Sequence, residues 1–170
     1  MGVFSKEVTT MNDLFIQGLG SMYYAEQRIL QGSDADGWKD HEFRTQICVR
    51  NHLAETRNQV LRIERVFEMH GTEPKAGSCP AIDGLINEAD EVTGDIGDKQ
   101  VLDAALIAAA QSVEHYEIGR YGTLISWVRQ LGRDDCASVL NENLQEEKAA
   151  DQTLTEIAEA EVNADAVLSS

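Results

Sequence analysis

Both prolines of the 170-residue chain, Pro74 and Pro80, lie in one short segment, so long stretches on either side contain no residue that interrupts an α-helix. Outside that segment the helix formers Ala, Leu, Glu and Gln predominate, and no alternation of apolar and polar residues persists. Four stretches instead carry a helical apolar period, at about 10–31, 40–70, 98–131 and 134–162, and are named helices A to D. The sequence therefore predicts an all-α fold.

The lengths of the connections predict the topology. Helices C and D are separated only by the turn LGRDD and should be antiparallel neighbours. Helices B and C are about 30 residues apart, enough to hold a short helix and to run the length of a bundle. Two antiparallel hairpins joined by one long crossover are typical of a ferritin-like four-helix bundle. We expect a single domain over 1–170, with its core at about 11–158, a frayed arm at 1–9 and a frayed tail at 163–170.

Local residue types predict the ends of the helices. The expected N-caps are Thr9 or Thr10 for helix A and Asp134 for helix D. The expected C-terminal glycines are Gly71 for helix B and Gly132 for helix C. The link between helices A and B, QGSDADGWKDH, is rich in Gly and Asp and should end helix A near Gln31. Within this link, Trp38 is expected to fill a gap in the bundle rather than to contact a partner.

The formal net charge of −16 argues against nucleic acid or an anionic membrane surface as a partner, because either needs clustered Lys and Arg. The same charge is compatible with a protein that attracts cations. No apolar run approaches the roughly 18 residues of a membrane span, and the N-terminus lacks the apolar centre of a signal peptide. The three cysteines, Cys48, Cys79 and Cys136, show neither disulfide nor zinc spacing, so a reducing cytoplasm is the expected location.

Acidic residues interrupt the apolar row that three of the four helices should bury. They are Glu26 in helix A, Glu117 in helix C, and Glu147 with Asp151 in helix D. The predicted buried row of helix C is Leu106, Ala110, Val113, Glu117, Tyr121, Leu124 and Val128, with Glu114 about 60° to one side. The row of helix B is uncharged, and the ridge beside it holds His52, Glu55 and Gln59.

A single acid on an apolar stripe usually reaches water at the edge of the stripe or pairs with an arginine. Acids on matching rows of several helices are different, because buried carboxylates repel one another and are costly to desolvate. Few cations could neutralise them, since Arg120 only flanks Glu117 and Arg28 points away from Glu26. Two divalent metal ions would nearly balance five carboxylates, those of Glu26, Glu55, Glu117, Glu147 and Asp151. The sequence therefore favours a two-metal site.

The ligand types favour iron or manganese over structural zinc, because they are carboxylate oxygens with little nitrogen and no thiolate. Di-iron bundles use a histidine three residues after a glutamate on two helices. Here Asn58 and Ala150 occupy those positions, and the residues four after each glutamate, Gln59 and Asp151, are the available ligands. The near-equal separation of Glu26 from Glu55 and of Glu117 from Glu147 supports a pseudo-twofold arrangement.

Four further residues lie near these rows. His52 is expected to support a ligand by hydrogen bonding rather than to bind metal itself. Tyr121 is either a hydrogen-bond partner of a metal-bound carboxylate or an ordinary core aromatic. His115 lies opposite the apolar row of helix C and is expected at the surface or in a subunit contact. Glu146 points about 100° away from Glu147 and is expected to be dispensable.

Several segments resemble the YciF/YciE-like stress proteins, a bacterial ferritin-like family. They are DLFIQGLGSMYYAEQRIL, NHLAETRNQVLRIERVFE, CPAIDGLINEADEV, VLDAALIAAAQSVEHYEIGRYGTLISWVRQLG and LQEEKAADQTLTEIA. The resemblance implies a ferritin-like bundle with a di-metal site, a homodimer rather than a cage, and a part in stress responses. The matching site residues are Glu26, Glu55, Glu114, Glu117, Glu147 and Asp151, with Gln59 where relatives often have His or Gln. The chain departs from the family after AEQRIL, where relatives continue helix A.

Three functions follow as hypotheses. The first is a protein that binds Fe(II) in the bundle and oxidises it with O₂ or peroxide, a ferroxidase or peroxidase type of oxidoreductase. The second is a non-enzymatic dimer of the stress response with a structural or vestigial metal site. The third is a manganese enzyme that disproportionates peroxide.

Overall fold

The structure is a computed structural model that describes residues 7–32 and 43–168. Regular structure in these ranges is helical, which confirms the predicted all-α class. The elements are α1 (Met11–Gly32), α2 (Phe43–Met69), α3 (Pro80–Gly94), α4 (Lys99–Gln130), α5 (Asp134–Ile157), a π-helical turn (Ala158–Val162) and α6 (Asn163–Leu168). Helices A to D correspond to α1, α2, α4 and α5. Within the same ranges, no helix combines the length and apolar content needed to cross a bilayer.

The ends of the helices follow from local hydrogen bonds. Thr10 caps α1, because its hydroxyl accepts the backbone N–H of Asp13 at 3.0 Å. Asp98 caps α4 by accepting two backbone N–H groups of the first turn. Gly71 and Gly132 end α2 and α4 at positive φ, 77° and 72°. In both cases the next residue donates its N–H back to the helix, as in a Schellman motif, so the two predicted glycine stops are correct.

Each long helix runs antiparallel to the two helices that it packs against. Between α4 and α5, Gln111 contacts Thr155 whereas Tyr121 contacts Asn143, so the residue order is reversed. The same reversal relates α1 to α2, α1 to α4 and α2 to α5. Helices α2 and α4 therefore run parallel, and the segment between them crosses the length of the bundle, as the ferritin-like arrangement requires.

The crossover carries the short helix that the sequence predicts, α3, which packs on α1 and α4. Pro80 lies in its first turn, where a missing N–H costs no hydrogen bond. Asp83 accepts a hydrogen bond from Tyr24 at 3.0 Å and forms an ion pair with Arg28 at 3.3 Å. These contacts tie α3 to α1 and hold the guanidinium of Arg28 away from Glu26.

Three apolar clusters fill the bundle and leave a polar layer between them. On α1, Glu26 lies between Met22 of the largest cluster and Ile29 of the cluster under α3. On α5, Glu147 lies between Leu144 of the largest cluster and Leu154 of a cluster near α6. The acids thus sit where the apolar clusters meet, with aliphatic side chains on either side along each helix.

The structure differs from the sequence prediction in the first half of α4. There the buried positions are Asp103, Ile107 and Glu114, whereas the predicted row of Leu106, Ala110 and Val113 is only partly buried. The reason is a change of partners along a 32-residue helix. Its first half packs on α3 and on the end of α5, so a different face is covered there.

Two helix ends also differ from the prediction. Arg133, not Asp134, occupies the N-cap position of α5. The tail predicted to fray from residue 163 is helical through Leu168, because a π-helical turn carries helix D onward and buries Val162. Two predicted segments lie outside the described residues. They are most of the loop after helix A, with Trp38, and the beginning of the N-terminal arm.

The contact between α1 and the loop before α3 allows a test of the packing. The backbone N–H of Gly77 donates to the carbonyl of Gly20 at 2.8 Å. A Cβ on Gly20 would lie 2.9 Å from the carbonyl oxygen of Lys75, so Gly20→Ala should lower the free energy of unfolding by about 1–3 kcal/mol. Gly119→Ala, in open space on α4, should raise it by about 0.5–1 kcal/mol. Urea titration of both variants measures these changes, and equal effects would contradict the close approach.

Candidate metal centre

Four glutamates from three helices form the polar layer. Glu26 comes from α1, Glu114 and Glu117 from α4 and Glu147 from α5, and at most 2% of the surface of any of them is exposed. Their burial follows from the helical period, because residues about one turn before and after them on the same face are held in the apolar clusters. The carboxyl groups therefore cannot turn out to water.

Helix α2 contributes His52 to the same layer. Its Nε2 lies 3.5 Å from Oε1 of Glu114. One ligand atom each from His52, Glu114, Glu117 and Glu147 lie within 4.8 Å of one another, a spacing that a metal ion could bridge. Burial lowers the pKa of His52 to about 4, so the ring is neutral near pH 7 and can offer a nitrogen lone pair. The sequence favoured a supporting role for His52, whereas the structure places its ring in the cluster itself.

Most oxygens of the buried carboxyl groups lack a hydrogen-bond partner among the described residues. Burial, reinforced by the neighbouring carboxylates, raises the pKa of Glu26, Glu117 and Glu147, and it raises the pKa of Glu114 to about 11. Both side-chain oxygens of Glu117 and of Glu147 lack a hydrogen-bond partner among the described residues. Protons hold such a cluster together in the absence of a cation, and a divalent ion would displace them.

Tyr121 connects this layer to the core. It is fully buried, and its hydroxyl donates a hydrogen bond to Oε1 of Glu26. The same hydroxyl accepts a hydrogen bond from Nδ2 of Asn143 at 2.9 Å. Of the two interpretations that the sequence left open, the structure has the hydrogen bond to a carboxylate. That carboxylate belongs to Glu26 on α1.

The remaining predicted ligands lie around the four glutamates and His52. Gln59 is fully buried beside Glu147, and its Oε1 has no hydrogen-bond partner among the described residues. Glu55 is only partly buried. Asp151 lies at the edge, where Oδ1 is 3.1 Å from Nε2 of the exposed His115 and accepts from Gln111 at 3.2 Å. The structure thus brings Gln59 to the cluster and leaves Glu55 and Asp151 at its rim, while His115 lies at the surface as expected.

Glu146 is the residue that sequence reasoning missed. It accepts two hydrogen bonds from the guanidinium of Arg62, at 2.7 and 2.8 Å, and one from Nε2 of Gln59 at 3.1 Å. Its side chain does point away from the centre, but these contacts do not fit the prediction that it is dispensable. The signal in the sequence was weak, because Arg62 and Glu146 are far apart along the chain and only the fold brings them together.

The donor set fits a hard or borderline divalent ion. It consists of carboxylate oxygens, one amide oxygen and one imidazole nitrogen, which suit iron or manganese better than a structural zinc. The thiols described by the structure, those of Cys79 and Cys136, are buried in apolar clusters instead. Glu26, Glu114, Glu117, Glu147 and His52, together with Gln59, are therefore the residues that could hold a metal.

Fold and site together define a helical-bundle protein with a buried, carboxylate-rich candidate metal centre. The chain belongs to the family described as "Domain of unknown function (DUF892)", whose model matches residues 10–167. It is 41% identical over 155 residues to Protein YciF of Escherichia coli (strain K12), an alignment that covers 91% of this chain and 93% of the relative.

Solved structures support the same assignment. The crystal structure of the E. coli stress protein YciF matches with a TM-score of 0.86 and 41% identity, covering 92% of this chain and 99% of the other. YcfI, a putative structural protein from Rhodopseudomonas palustris, matches with a TM-score of 0.86 and 48% identity, covering 90% and 98%. A protein from Xanthomonas campestris pv. campestris shares the fold at a TM-score of 0.70 and 22% identity, over 91% of this chain and 95% of the other.

Proposed function

We propose that this protein binds Fe(II) in the bundle and oxidises it with peroxide or O₂, which removes two reactants that together damage cells. The observation that carries the proposal is the layer of four buried glutamates whose carboxyl groups no described Lys or Arg neutralises. Burying such groups without a cation is costly, and a protein gains nothing in stability from them.

The donor set also favours oxidation over storage of Fe(II). Anionic oxygen ligands bind Fe(III) more tightly than Fe(II), so they lower the cost of removing an electron. Two bound Fe(II) ions would supply one electron each, and one peroxide would take up both electrons with two protons to form two waters. Glu26, Glu114, Glu117, Glu147 and His52 would hold the metal, and Tyr121 would hold Glu26 in place. The name of the E. coli relative, a stress protein, is in keeping with such a protective role.

A non-enzymatic role is the second candidate. The relative from R. palustris is described as a putative structural protein. The donor set also contains a single described imidazole, where di-iron bundles generally use two histidines. In this alternative the layer holds a metal that stabilises the bundle without turning over.

The test combines metal analysis of protein purified without chelator with a stopped-flow trace of Fe(II) oxidation. We expect about two iron or manganese ions per chain. We also expect Fe(III) absorbance to rise much faster with protein than in buffer after peroxide or O₂ is added. Bound metal without oxidation favours the structural role. Release of O₂ from peroxide by the manganese form points to disproportionation. Protein that binds neither ion contradicts both oxidation and disproportionation and leaves the non-enzymatic role with a vestigial site.

A further inference from the structure

Arg62 lies outside the carboxylate layer but begins two chains of hydrogen bonds that end in it. Its guanidinium has donors only, a carboxylate has acceptors only, and an amide side chain has one group of each kind. A chain that starts at an arginine therefore determines which way each following amide must face. The nitrogen and oxygen atoms of each amide can therefore be distinguished, because an arginine at one end can only donate and a carboxylate at the other can only accept.

The first chain runs through Asn143 and Tyr121 to Glu26. Arg62 donates to Oδ1 of Asn143 at 3.1 Å, so Nδ2 of Asn143 must face the other way. Nδ2 donates to the hydroxyl oxygen of Tyr121 at 2.9 Å, which leaves the proton of that hydroxyl to point at Glu26. Oε1 of Glu26 is thus held as an acceptor, and Oε2 remains without a partner among the described residues.

The second chain runs through Glu146 to Gln59. Arg62 donates to both oxygens of Glu146, at 2.7 and 2.8 Å. Oε2 of Glu146 also accepts from Nε2 of Gln59 at 3.1 Å. The Gln59 side chain also approaches Glu147 as a donor, which by itself favours the ionised carboxylate, so an N–H group of Gln59 faces the cluster.

The first chain leaves an oxygen lone pair of Glu26 available at the cluster, and the second holds an N–H group of Gln59 against Glu147. Reversing the amide of Asn143 would place an N–H group against the guanidinium, and reversing that of Gln59 would place its oxygen against the carboxylate of Glu146. Asn143 and Gln59 are fully buried, so water cannot compensate a reversed amide. Three-quarters or more of the Arg62 side chain is buried, and it also contacts the exposed Glu142 at 3.1 Å.

We propose that Arg62 is a positioning residue that sets, from outside the site, the hydrogen-bond polarity around two candidate metal ligands, Glu26 and Glu147. This inference rests on the metal binding proposed above. It assigns Arg62, Asn143 and Glu146 to one unit whose purpose is to present ligand oxygens. Arg62 stays protonated at any relevant pH, so the polarity that it imposes is permanent.

Two substitutions separate this inference from simple electrostatics. Arg62→Met removes a positive charge near a cation site, and Asn143→Asp adds a negative charge, so Coulomb's law alone predicts tighter metal binding in both. The hydrogen-bond chains that start at Arg62 predict weaker metal binding in both variants, by about 10–100-fold, because partners that orient a ligand have effects of that size. In Asn143→Asp the new carboxylate competes with Glu26 for the proton of Tyr121.

The experiment is calorimetric titration of Mn(II), and of Fe(II) under nitrogen, into the full-length chain. Arg65→Met, at an exposed position one turn along α2, is the matched control and should bind like the parent. Arg62→Lys, which keeps a donor but not the two-pronged geometry, should recover part of the affinity. In a Tyr121→Phe background, Asn143→Asp should cause little further loss, because the chain is already interrupted.

The outcomes are distinct. If the parent binds neither ion, the proposed function is overturned and this inference falls with it. If the parent binds and Arg62→Met and Asn143→Asp bind equally well or more tightly, the positioning inference alone is overturned. Circular dichroism establishes that each variant is folded at the temperature of titration. Should Arg62→Met not fold, Asn143→Asp, which keeps an acceptor for Arg62, decides the question.

Discussion

Replacing Glu117 with glutamine should make the metal-free protein more stable at pH 8 and should weaken metal binding by about 100-fold or more. The gain in stability arises because Glu117 is fully buried and both of its side-chain oxygens lack a described partner. At pH 8 this carboxyl group must keep a proton that the unfolded chain releases, and a neutral amide avoids that cost, so the free energy of unfolding should rise by about 1–3 kcal/mol. The loss of affinity arises because a ligand disappears, and even partners that only support a ligand contribute about 10–100-fold.

A gain in stability without metal, together with a loss of metal affinity, is expected only of a residue that belongs to a metal site. Thermal unfolding with chelator present and calorimetric titration of Mn(II) measure the two effects. The control is Glu159→Gln, which makes the same substitution at an exposed position of the π-helical turn and should change neither quantity appreciably. A Glu117→Gln variant that is less stable without metal would mean that Glu117 serves the fold, and unchanged Mn(II) affinity would remove it from the ligand set.

The fold and the centre of the layer follow from the helical period, which one chain can reveal. Burial of Phe15, Leu19 and Met22 on α1 requires that Glu26, on the same row, be buried too. The same reasoning places Glu147 on α5. Connection lengths predict the crossover, because a tight turn permits only an antiparallel neighbour whereas a long link can span the bundle.

The helical period does not predict which residues are buried where a helix changes its packing partners, and it does not predict contacts between distant segments. Glu114 lies off the predicted row but is buried, because the first half of α4 packs on other helices than the second half. His52 reaches Glu114 across the bundle, and its position depends on the rotation of α2. The pair of Arg62 and Glu146 has no local signature at all. Side chains that orient a site residue through a hydrogen bond, without lying in the site themselves, are therefore the ones that a single sequence conceals.

The stability of the metal-free protein should fall as the pH rises from about 6.5 to 9. Burial raises the pKa of Glu114 to about 11 and raises the pKa of Glu26, Glu117 and Glu147, so the folded protein keeps protons that the unfolded chain releases above about pH 4.5. Stability contributed by such groups is fully present below pH 4.5 and is lost as the pH approaches the raised pKa values. His52 acts in the opposite sense, because its lowered pKa of about 4 makes folding less favourable below about pH 6.5.

Above pH 6.5 only the loss from the carboxyl groups remains, at up to about 1.4 kcal/mol per pH unit for each group that stays protonated. For a chain of this size that corresponds to a fall in melting temperature of roughly 2–5 °C per pH unit for each such group.

With saturating Mn(II), the melting temperature should rise with pH instead of falling, because the ion binds the ionised carboxylates and displaces their protons more easily as the pH rises. Melting temperatures at several pH values between 6.5 and 9, with chelator and with Mn(II), test both halves of the prediction. Without metal, Glu114→Gln should reduce the fall in melting temperature per pH unit by the contribution of one carboxyl group. The exposed Glu159→Gln should leave that fall unchanged. A metal-free protein whose stability is constant or rises over this range would show that the buried glutamates are ionised without metal. In that case a compensating cation or water network would have to lie among them, and the buried acids would not need a metal ion to be accommodated.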